Sequence, residues 1–179
     1  MGHIPELVVL LSETGEPIGT ANKADVHTTD TALHQAFSCH VFNAAGEILV
    51  TRRALSKKTW PGVWTNSFCG HPAPGEDDAE AIIRRAAFEL GLAISSIQVA
   101  LPDFRYRAVD ASGIVENEIC PVYTAVAVGE PAPNPDEVAQ YYWADPQQLV
   151  VAVEAAPFAF SPWLTLQLPR LAEAGVLAR

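Results

Sequence analysis

The sequence has no long apolar run and few cysteines, and both absences limit what the protein can be. No stretch reaches the roughly 18 consecutive apolar residues that a membrane helix needs, so the sequence predicts no membrane span. The first residues, MGHIPELVVLLSETGEP, lack the basic segment of a signal peptide, and ELVVLLS is more typical of a buried strand. The three cysteines, Cys39, Cys69 and Cys120, form an odd and sparse set that indicates reduced thiols in a cytoplasmic protein.

Positive charge is also scarce. The chain has 11 lysines and arginines against 21 aspartates and glutamates, a net charge of −10, which argues against bulk nucleic-acid binding. Most of the basic residues lie between positions 23 and 85, and no Asp or Glu occurs from Ile48 to Gly75. One basic segment in an acidic protein predicts a local anion site, although a solvated basic turn at RRALSKK would give the same pattern.

Length and patterning predict a single domain over residues 1–179 with an α+β architecture. The hydrophobic fraction of 49% allows a substantial core. A helix over 77–90 would begin at Asp77 or Asp78 and end at Gly91, and ADPQQLVVAVEAA and SPWLTLQLPRLAEAG predict two more. NAAGE (43–47) predicts a hairpin turn. Strands are predicted at 6–12, 35–43, 47–52, 98–109, 115–128 and 140–143, and mixed strands with few helices favour a sandwich.

The segment from Gly70 to Leu92 resembles a Nudix box, a loop–helix–loop that holds a metal ion against a diphosphate. The matching positions are Gly70, Glu76, Arg84, Glu89 and Gly91. Two glutamates that are usual in Nudix hydrolases are replaced by Arg85, a cation, and Phe88, which cannot bind metal. We therefore expect a Nudix-like mixed-sheet sandwich with flanking helices and an impaired hydrolytic metal cluster.

Histidines and glutamates elsewhere are candidates for a separate metal site. A lone histidine is usually an ordinary hydrogen-bonded residue, but VENEIC supplies Glu116 and Glu118, whose side chains point to the same face of a strand. Adjacent carboxylates repel each other unless a cation or a shared proton lies between them. An exposed strand face is the alternative, but apolar neighbours favour burial and hence a cation. With His27, His34 and His71 the set would suit a divalent ion with mixed nitrogen and oxygen ligands.

Cys69 has an unusual context for a core thiol. It follows the polar residues Thr65, Asn66 and Ser67 and lies two positions before His71. An inert buried thiol is the alternative, and it is our interpretation of the other two cysteines. A free thiol has a pKa of roughly 8.5, so near neutral pH it can hold a proton and also deliver one.

Several segments together resemble the type I isopentenyl diphosphate isomerase family. They are, in the family's order, NKADVH, HQAFSCHVFN, TRRALSKKTWPGVWTNSFCGHP, ENEICPV and SPW, and they extend from about Asn22 to Trp163. The resemblance implies an enzyme that interconverts isopentenyl diphosphate and dimethylallyl diphosphate. Such an enzyme protonates the alkene, forms a tertiary carbocation, and removes a proton from the neighbouring carbon. A Nudix-type diphosphohydrolase is one alternative, and a non-catalytic metal- or phosphate-binding module is another.

The resemblance also implies catalytic roles. Cys69 and Glu118 would be the two acid–base groups, one on each side of the alkene. Tyr106 would donate a hydrogen bond to Glu118, and the ring face of Trp163 would lie against the cation. Trp60 and Trp64 could close an apolar pocket, or they could be ordinary core residues.

The same resemblance implies metal ligands, substrate contacts and partners. One divalent ion, Mn²⁺, Mg²⁺ or another, would be bound by His27, His34, His71, Glu116 and Glu118. Glu89 would hold a second ion, Mg²⁺, that bridges to the diphosphate. The diphosphate oxygens would be bound by Lys23, Arg53, Lys57 and Arg85. We expect a monomer or weak dimer whose partner is a small-molecule diphosphate, with no nucleic acid and no membrane.

Overall fold

The computed structural model describes residues 6–177. Residues 1–5 and 178–179 of the predicted domain, including the start of the segment tested for a signal peptide, lie outside the described residues. The strands are β1 (Leu7–Leu11), β2 (Pro17–Asn22), β3 (His34–Gln35), β4 (Phe37–Phe42), β5 (Ile48–Arg53), β6 (Trp64–Thr65), β7 (Phe68–Gly70), β8 (Ala93–Leu101), β9 (Arg105–Val109), β10 (Val115–Ile119), β11 (Val122–Val128) and β12 (Val138–Ala144). The helices are α1 (Lys23–Val26), α2 (Asp78–Leu90), α3 (Pro146–Ala155) and α4 (Pro162–Glu173), with a 3-10 helix at Pro157–Ala159.

The strands form two sheets, and the chain passes from one sheet to the other more than once. The first has the order β2-β1-β3-β10-β9, and the second has the order β12-β5-β4-β11-β8, with β6 paired to β5 and β7 paired to β4. The pairs β3–β10 and β4–β11 are both parallel. Because β3 leads into β4 and β10 leads into β11, two segments cross side by side from the first sheet to the second. This crossing makes His34 and Glu118 Cα partners.

The predictions of single strands over 35–43, 98–109 and 115–128 were wrong, and the first of these segments divides at Ala36 into β3 and β4. A turn at Pro102 and Asp103 separates β8 from β9, and these strands belong to different sheets. Cys120 and Pro121 form the crossing between β10 and β11, where proline has no N–H to continue a ladder. Apolar runs that continue through a crossing do not reveal that the chain has changed sheets.

The predicted helices and the hairpin turn are confirmed. The side chain of Asp77 caps α2, Asp145 caps α3, and Ser161 caps α4. Gly91 ends α2 with a φ of 55°, and a Cβ there would lie 2.5 Å from the carbonyl oxygen of Ala132. Glycine is therefore required at this helix end. Strand β2 was not predicted, because PIGTAN is an exposed edge segment without apolar alternation.

Helix α2 packs on the second sheet and forms one wall behind the site. Ile82 and Leu90 are fully buried in a core with Phe37, while a separate core joins both sheets to α3 and α4. Gly70, the first glycine of the Nudix box, allows β7 to approach this helix. A Cβ at that position would lie 2.8 Å from atoms of both Arg85 and Phe37. Within residues 6–177, no helix is long and apolar enough to cross a membrane.

Candidate active site

One cavity brings together nearly all the side chains that the sequence singled out. It is lined by Lys23, His27, Arg53, Lys57, Cys69, His71, Arg85, Glu89, Tyr106, Glu116, Glu118 and Trp163. The remaining predicted residue, His34, is fully buried and joins the same group of ligand atoms. Residues that are far apart in the chain therefore converge as predicted.

The histidine–glutamate cluster consists of His27, His34, His71, Glu116 and Glu118. Single ligand atoms of the three histidines and Glu118 all lie within 4.8 Å of one another. The Nε2 atoms of His34 and His71 lie 3.4 Å and 3.1 Å from Glu118 Oε1. Glu116 Oε2 lies 2.9 Å from His27 Nε2. The cluster forms because His27 ends α1, His71 follows β7, and the other three residues lie on the neighbouring strands β3 and β10.

The cluster fits a divalent metal ion. The Nε2 atoms of His27 and His34 are buried and face Glu116 and Glu118 at 2.9 Å and 3.4 Å, but neither contact has the geometry of a hydrogen bond. Buried polar atoms normally form a hydrogen bond, so these two nitrogens are available to coordinate an ion. Burial opposes the charge of Glu118, but the adjacent imidazoles of His34 and His71 hold its pKa well below its usual range. Imidazole nitrogens with an ionised carboxylate are a donor set for divalent ions.

Cys69 keeps its proton in this environment. The thiol lies on β7, and its Sγ donates to Asn66 Oδ1 at 3.3 Å. Burial raises the pKa of Cys69 to about 12, helped by the nearby charge of Glu118. The thiol is therefore a proton donor at neutral pH rather than a resting thiolate.

Aromatic rings enclose the space above Cys69. The indole Nε1 of Trp163 donates to Asn66 Oδ1 at 2.9 Å. The ring centre of Trp163 lies 5.4 Å from that of Trp60, 5.7 Å from that of Tyr106, and 5.3 Å from the guanidinium carbon of Arg53. The indole is thus fixed at its edge, and a cation, the guanidinium of Arg53, lies over its ring face.

The hydrogen bond predicted from Tyr106 to Glu118 is not found among residues 6–177. The two residues are Cα partners on β9 and β10, so their side chains share a face. The carboxylate of Glu118 is instead directed at His34 and His71, while the Tyr106 ring packs 5.9 Å from the ring of Phe104. Burial, with the charge of Glu118, raises the pKa of Tyr106 well above its usual range.

The basic rim of the cavity consists of Lys23, Arg53, Lys57 and Arg85, and each of these cations already has a partner. Lys23 pairs with Glu6 at 3.0 Å, and Lys57 forms a short contact with Glu137. Arg85 Nε donates to Glu89 Oε1 at 3.0 Å. Arg53 donates to the carbonyl oxygens of Thr59 and Trp60. The predicted anion-binding residues converge, but three of them are paired with carboxylates and Arg53 is hydrogen-bonded to backbone carbonyls.

Comparisons with known proteins agree with this arrangement. The NUDIX domain model matches residues 32–164. An isopentenyl-diphosphate Delta-isomerase of Clavibacter michiganensis subsp. michiganensis is 69% identical over 93% of this chain and 86% of its own. Another, from Corynebacterium glutamicum, is 62% identical over 94% of this chain and 93% of its own. The chain belongs to the isopentenyl-diphosphate Delta-isomerase family.

Solved structures show that this isomerase family member has the Nudix fold. A Deinococcus radiodurans protein superposes with a TM-score of 0.72 at 21% identity, covering 92% of this chain and 98% of that one. A MutT protein of Methanosarcina mazei gives a TM-score of 0.60 at 17% identity, covering 79% and 94%. The predicted family and the predicted α+β Nudix-like fold are confirmed.

The sequence analysis assigned no role to two side chains that line the cavity, Thr59 and Glu137, or to Asn66, which is buried behind Cys69. Thr59 donates to Glu116 Oε1 at 2.8 Å, and Asn66 accepts from both Cys69 and Trp163. Glu137 pairs with Lys57. Asn66 and Thr59 lie within the segments that carry the family resemblance, and this position was the available signal. Glu137 follows a Pro-rich loop, and no local pattern marks it.

Proposed function

We propose that this chain interconverts isopentenyl diphosphate and dimethylallyl diphosphate, with Cys69 and Glu118 exchanging protons with the substrate. The observation that carries the proposal is one cavity lined by both the thiol of Cys69 and the carboxylate of Glu118. This pairing supplies one acid and one base, which is what moving a double bond requires. The names of the relatives at 60–69% identity support the same reaction.

The proton transfers balance over one turnover. The Cys69 S–H bond breaks as its proton forms a C–H bond at the terminal alkene carbon, leaving a tertiary carbocation and a thiolate. A C–H bond at the neighbouring carbon then breaks, its electron pair forms the new double bond, and Glu118 takes the proton. Return of a proton from Glu118 to Cys69 restores both groups, and the reverse reaction exchanges their roles. An alkene is a weak base, so the acid must be positioned in a dry site.

Trp163 would stabilise the carbocation with its ring face. An aromatic ring attracts a cation by about 2 kcal/mol or more when both are desolvated. The hydrogen bond from its Nε1 to Asn66 fixes the ring next to the Cys69 sulfur. Tyr106 and Trp60 would exclude the water that would otherwise capture the cation.

A divalent ion, Mn²⁺, Mg²⁺ or another, would be held by His27, His34, His71, Glu116 and Glu118. When bound, it would add positive charge that orients the Glu118 carboxylate and tunes its basicity. Glu89 would contribute to a second site, for Mg²⁺, beside the diphosphate. These two assignments rest on the donor set of the cluster and on the Nudix-box position of Glu89.

The diphosphate would be bound by the basic rim. Lys23, Lys57 and Arg85 would exchange their carboxylate partners for phosphate oxygens, which form strong charge-assisted hydrogen bonds. A Nudix diphosphohydrolase is not favoured, since Arg85 and Phe88 stand where the hydrolases usually have glutamates. Phe88 cannot bind metal, and its half-exposed ring packs against the guanidinium of Arg85.

The deciding experiment is incubation with isopentenyl diphosphate in D₂O followed by NMR. Deuterium should enter the methyl group of the product, because the incoming proton is drawn from an exchangeable thiol. Release of inorganic phosphate without isomerisation would overturn the proposal in favour of a hydrolase.

The setting in which the chain works is part of the same proposal. We infer a cytoplasmic monomer or weak dimer without a nucleic-acid or membrane partner. The negative net charge and the three free thiols support this inference. A sedimentation experiment that finds a stable larger assembly would contradict it.

A further inference from the structure

Three buried polar side chains behind Cys69 have no role in the reaction proposed above. Ser38, His40 and Gln167 have no exposed surface. Gln167 Nε2 donates to Ser38 Oγ at 2.8 Å, and Gln167 Oε1 lies 2.9 Å from His40 Nε2. Polar side chains in a core are costly to desolvate, and here they form a chain that leads to the sulfur of Cys69.

The hydrogen bonds that join His40, Gln167 and Ser38 all run in one direction. His40 Nδ1 has no partner among the described residues, so the single proton of the neutral ring belongs on Nε2, where Gln167 Oε1 accepts it. Burial lowers the pKa of His40 to about 4, so the ring is neutral near pH 7. With its oxygen engaged by His40, the amide of Gln167 presents its nitrogen to Ser38.

The direction fixes the hydroxyl proton of Ser38. Ser38 Oγ accepts from Gln167, so its own proton faces two sulfurs, Cys69 Sγ at 3.3 Å and Cys120 Sγ at 3.4 Å. The proton of Cys69 is directed at Asn66 Oδ1, and Asn66 Nδ2 is held by two backbone carbonyls. Ser38 is therefore a donor to sulfur and is shared between the two thiols.

We propose that Ser38, oriented by Gln167 and His40, donates its hydrogen bond to the Cys69 sulfur as that sulfur gives up its proton. The inference rests on the acid role proposed for Cys69. The S–H proton goes to the alkene carbon, the sulfur keeps the electron pair, and Ser38 keeps its own proton. Hydrogen bonds to a charged acceptor are about twice as strong as neutral ones, so the contact strengthens between the resting thiol and the transition state.

An interaction that strengthens only in the transition state raises kcat without improving substrate binding. Ser38, Gln167 and His40 are thus positioning residues that act through Cys69. Their removal should change turnover and leave the KM for the diphosphate nearly unchanged. A purely structural role would instead lower stability without a selective effect on kcat.

The test compares Ser38→Ala with Ser67→Ala. Ser67 is an equally buried serine in the neighbouring segment, but its hydroxyl bonds only to the backbone, accepting from Val41 N and donating to Leu49 O. We expect kcat to fall roughly 10- to 100-fold in Ser38→Ala with KM changed less than about twofold. In Ser67→Ala we expect a lower Tm with kcat within about twofold of the unmodified enzyme. Equal losses of kcat in both variants, or no loss in Ser38→Ala, would overturn the proposal.

A second variant and a spectroscopic measurement give two further tests of the proposal. Gln167→Met keeps the length of the side chain but removes the donor that orients Ser38, and kcat should fall by about 2- to 10-fold. The S–H stretching band of Cys69, assigned by its loss in Cys69→Ala, should shift to higher frequency in Ser38→Ala and stay in place in Ser67→Ala, because hydrogen bonds in a chain strengthen one another.

The infrared measurement also separates this inference from the proposed function. A shifted band in an enzyme that does not isomerise isopentenyl diphosphate would contradict the proposed function while supporting the contact between Ser38 and Cys69. An unshifted band in an active isomerase would overturn the present inference alone.

Discussion

The histidine–glutamate cluster and the basic rim lie in one cavity but differ in how far their polar atoms are satisfied. In the cluster, the Nε2 atoms of His27 and His34 are buried and face carboxylates without forming a hydrogen bond. In the rim, Lys57 and Arg85 are already paired with Glu137 and Glu89. The cluster is therefore organised in advance for its ligand, whereas the rim must exchange partners to bind an anion.

The difference has a physical origin in where the residues are located. His34 and Glu118 lie on paired strands and are almost fully buried, so their positions are set by the sheets. The rim residues have longer side chains with more rotatable bonds, and Lys57 keeps about a quarter of its side chain exposed. A partly exposed ion pair such as that of Lys57 with Glu137 has a small net free energy, so a diphosphate can replace it.

The largest effect should come from removing the metal that the cluster is expected to hold. Strong chelation should abolish isomerisation, and Mn²⁺ or Mg²⁺ should restore it, because the cluster leaves buried nitrogens unsatisfied without an ion. The affinity for the ion should fall as pH drops, since protons compete for the imidazoles. Full activity after metal removal verified by elemental analysis would contradict the difference drawn between the two regions.

The next largest effect should come from Cys69, which lines the same cavity as the two regions. Cys69→Ala should lower kcat by about 10²- to 10⁴-fold, because a positioned acid contributes in that range. Cys69→Ser keeps a proton but is a weaker acid, and its loss should be large yet smaller. Diphosphate binding should survive in both variants, as measured by calorimetry, because the rim binds it.

Labelling gives an independent check on Cys69. An epoxide analogue of isopentenyl diphosphate should alkylate this thiol in preference to Cys39 and Cys120, which are fully buried. Mass spectrometry would locate the adduct. Near-normal turnover by Cys69→Ala would instead mean that the proton comes from another group.

The sequence predicted that the histidines and glutamates of the cluster form one group, from the spacing of the two glutamates and from the family resemblance. Glu116 and Glu118 are two positions apart on a strand, so their side chains share a face, and His71 follows Cys69 in a recognisable motif. The pairing of Lys57 with Glu137, 80 residues away, could not be predicted, since it depends on the three-dimensional course of the loop before β12. The chain crossing at Pro121 was missed for a similar reason, because hydrophobic alternation is the same in either sheet.

Substitutions in the basic rim should have a moderate effect and should act on binding. Arg85→Ala should raise KM by about 10- to 100-fold, because it removes a charge-assisted contact and leaves Glu89 and Glu137 near the diphosphate. Lys57→Ala should raise KM less, since this side chain is more exposed than Arg85. If both variants keep the KM and kcat of the unmodified enzyme, the basic rim is not the anion site.

The smallest effect should come from removing the charge of Glu137, which competes with the diphosphate for the cations of the basic rim. Glu137→Gln keeps the size of the side chain but removes the charge that pairs with Lys57 and lies 3.7 Å from Arg85. If these cations must leave Glu137 to bind the substrate, KM should fall by about two- to fivefold, the range expected for a weak ion pair. The matched control is Glu154→Gln, an equal charge change on the exposed side of α3, which should leave KM unchanged. A higher KM in Glu137→Gln alone would mean that Glu137 holds the cations in their binding positions, and the rim would then be as preorganised as the cluster.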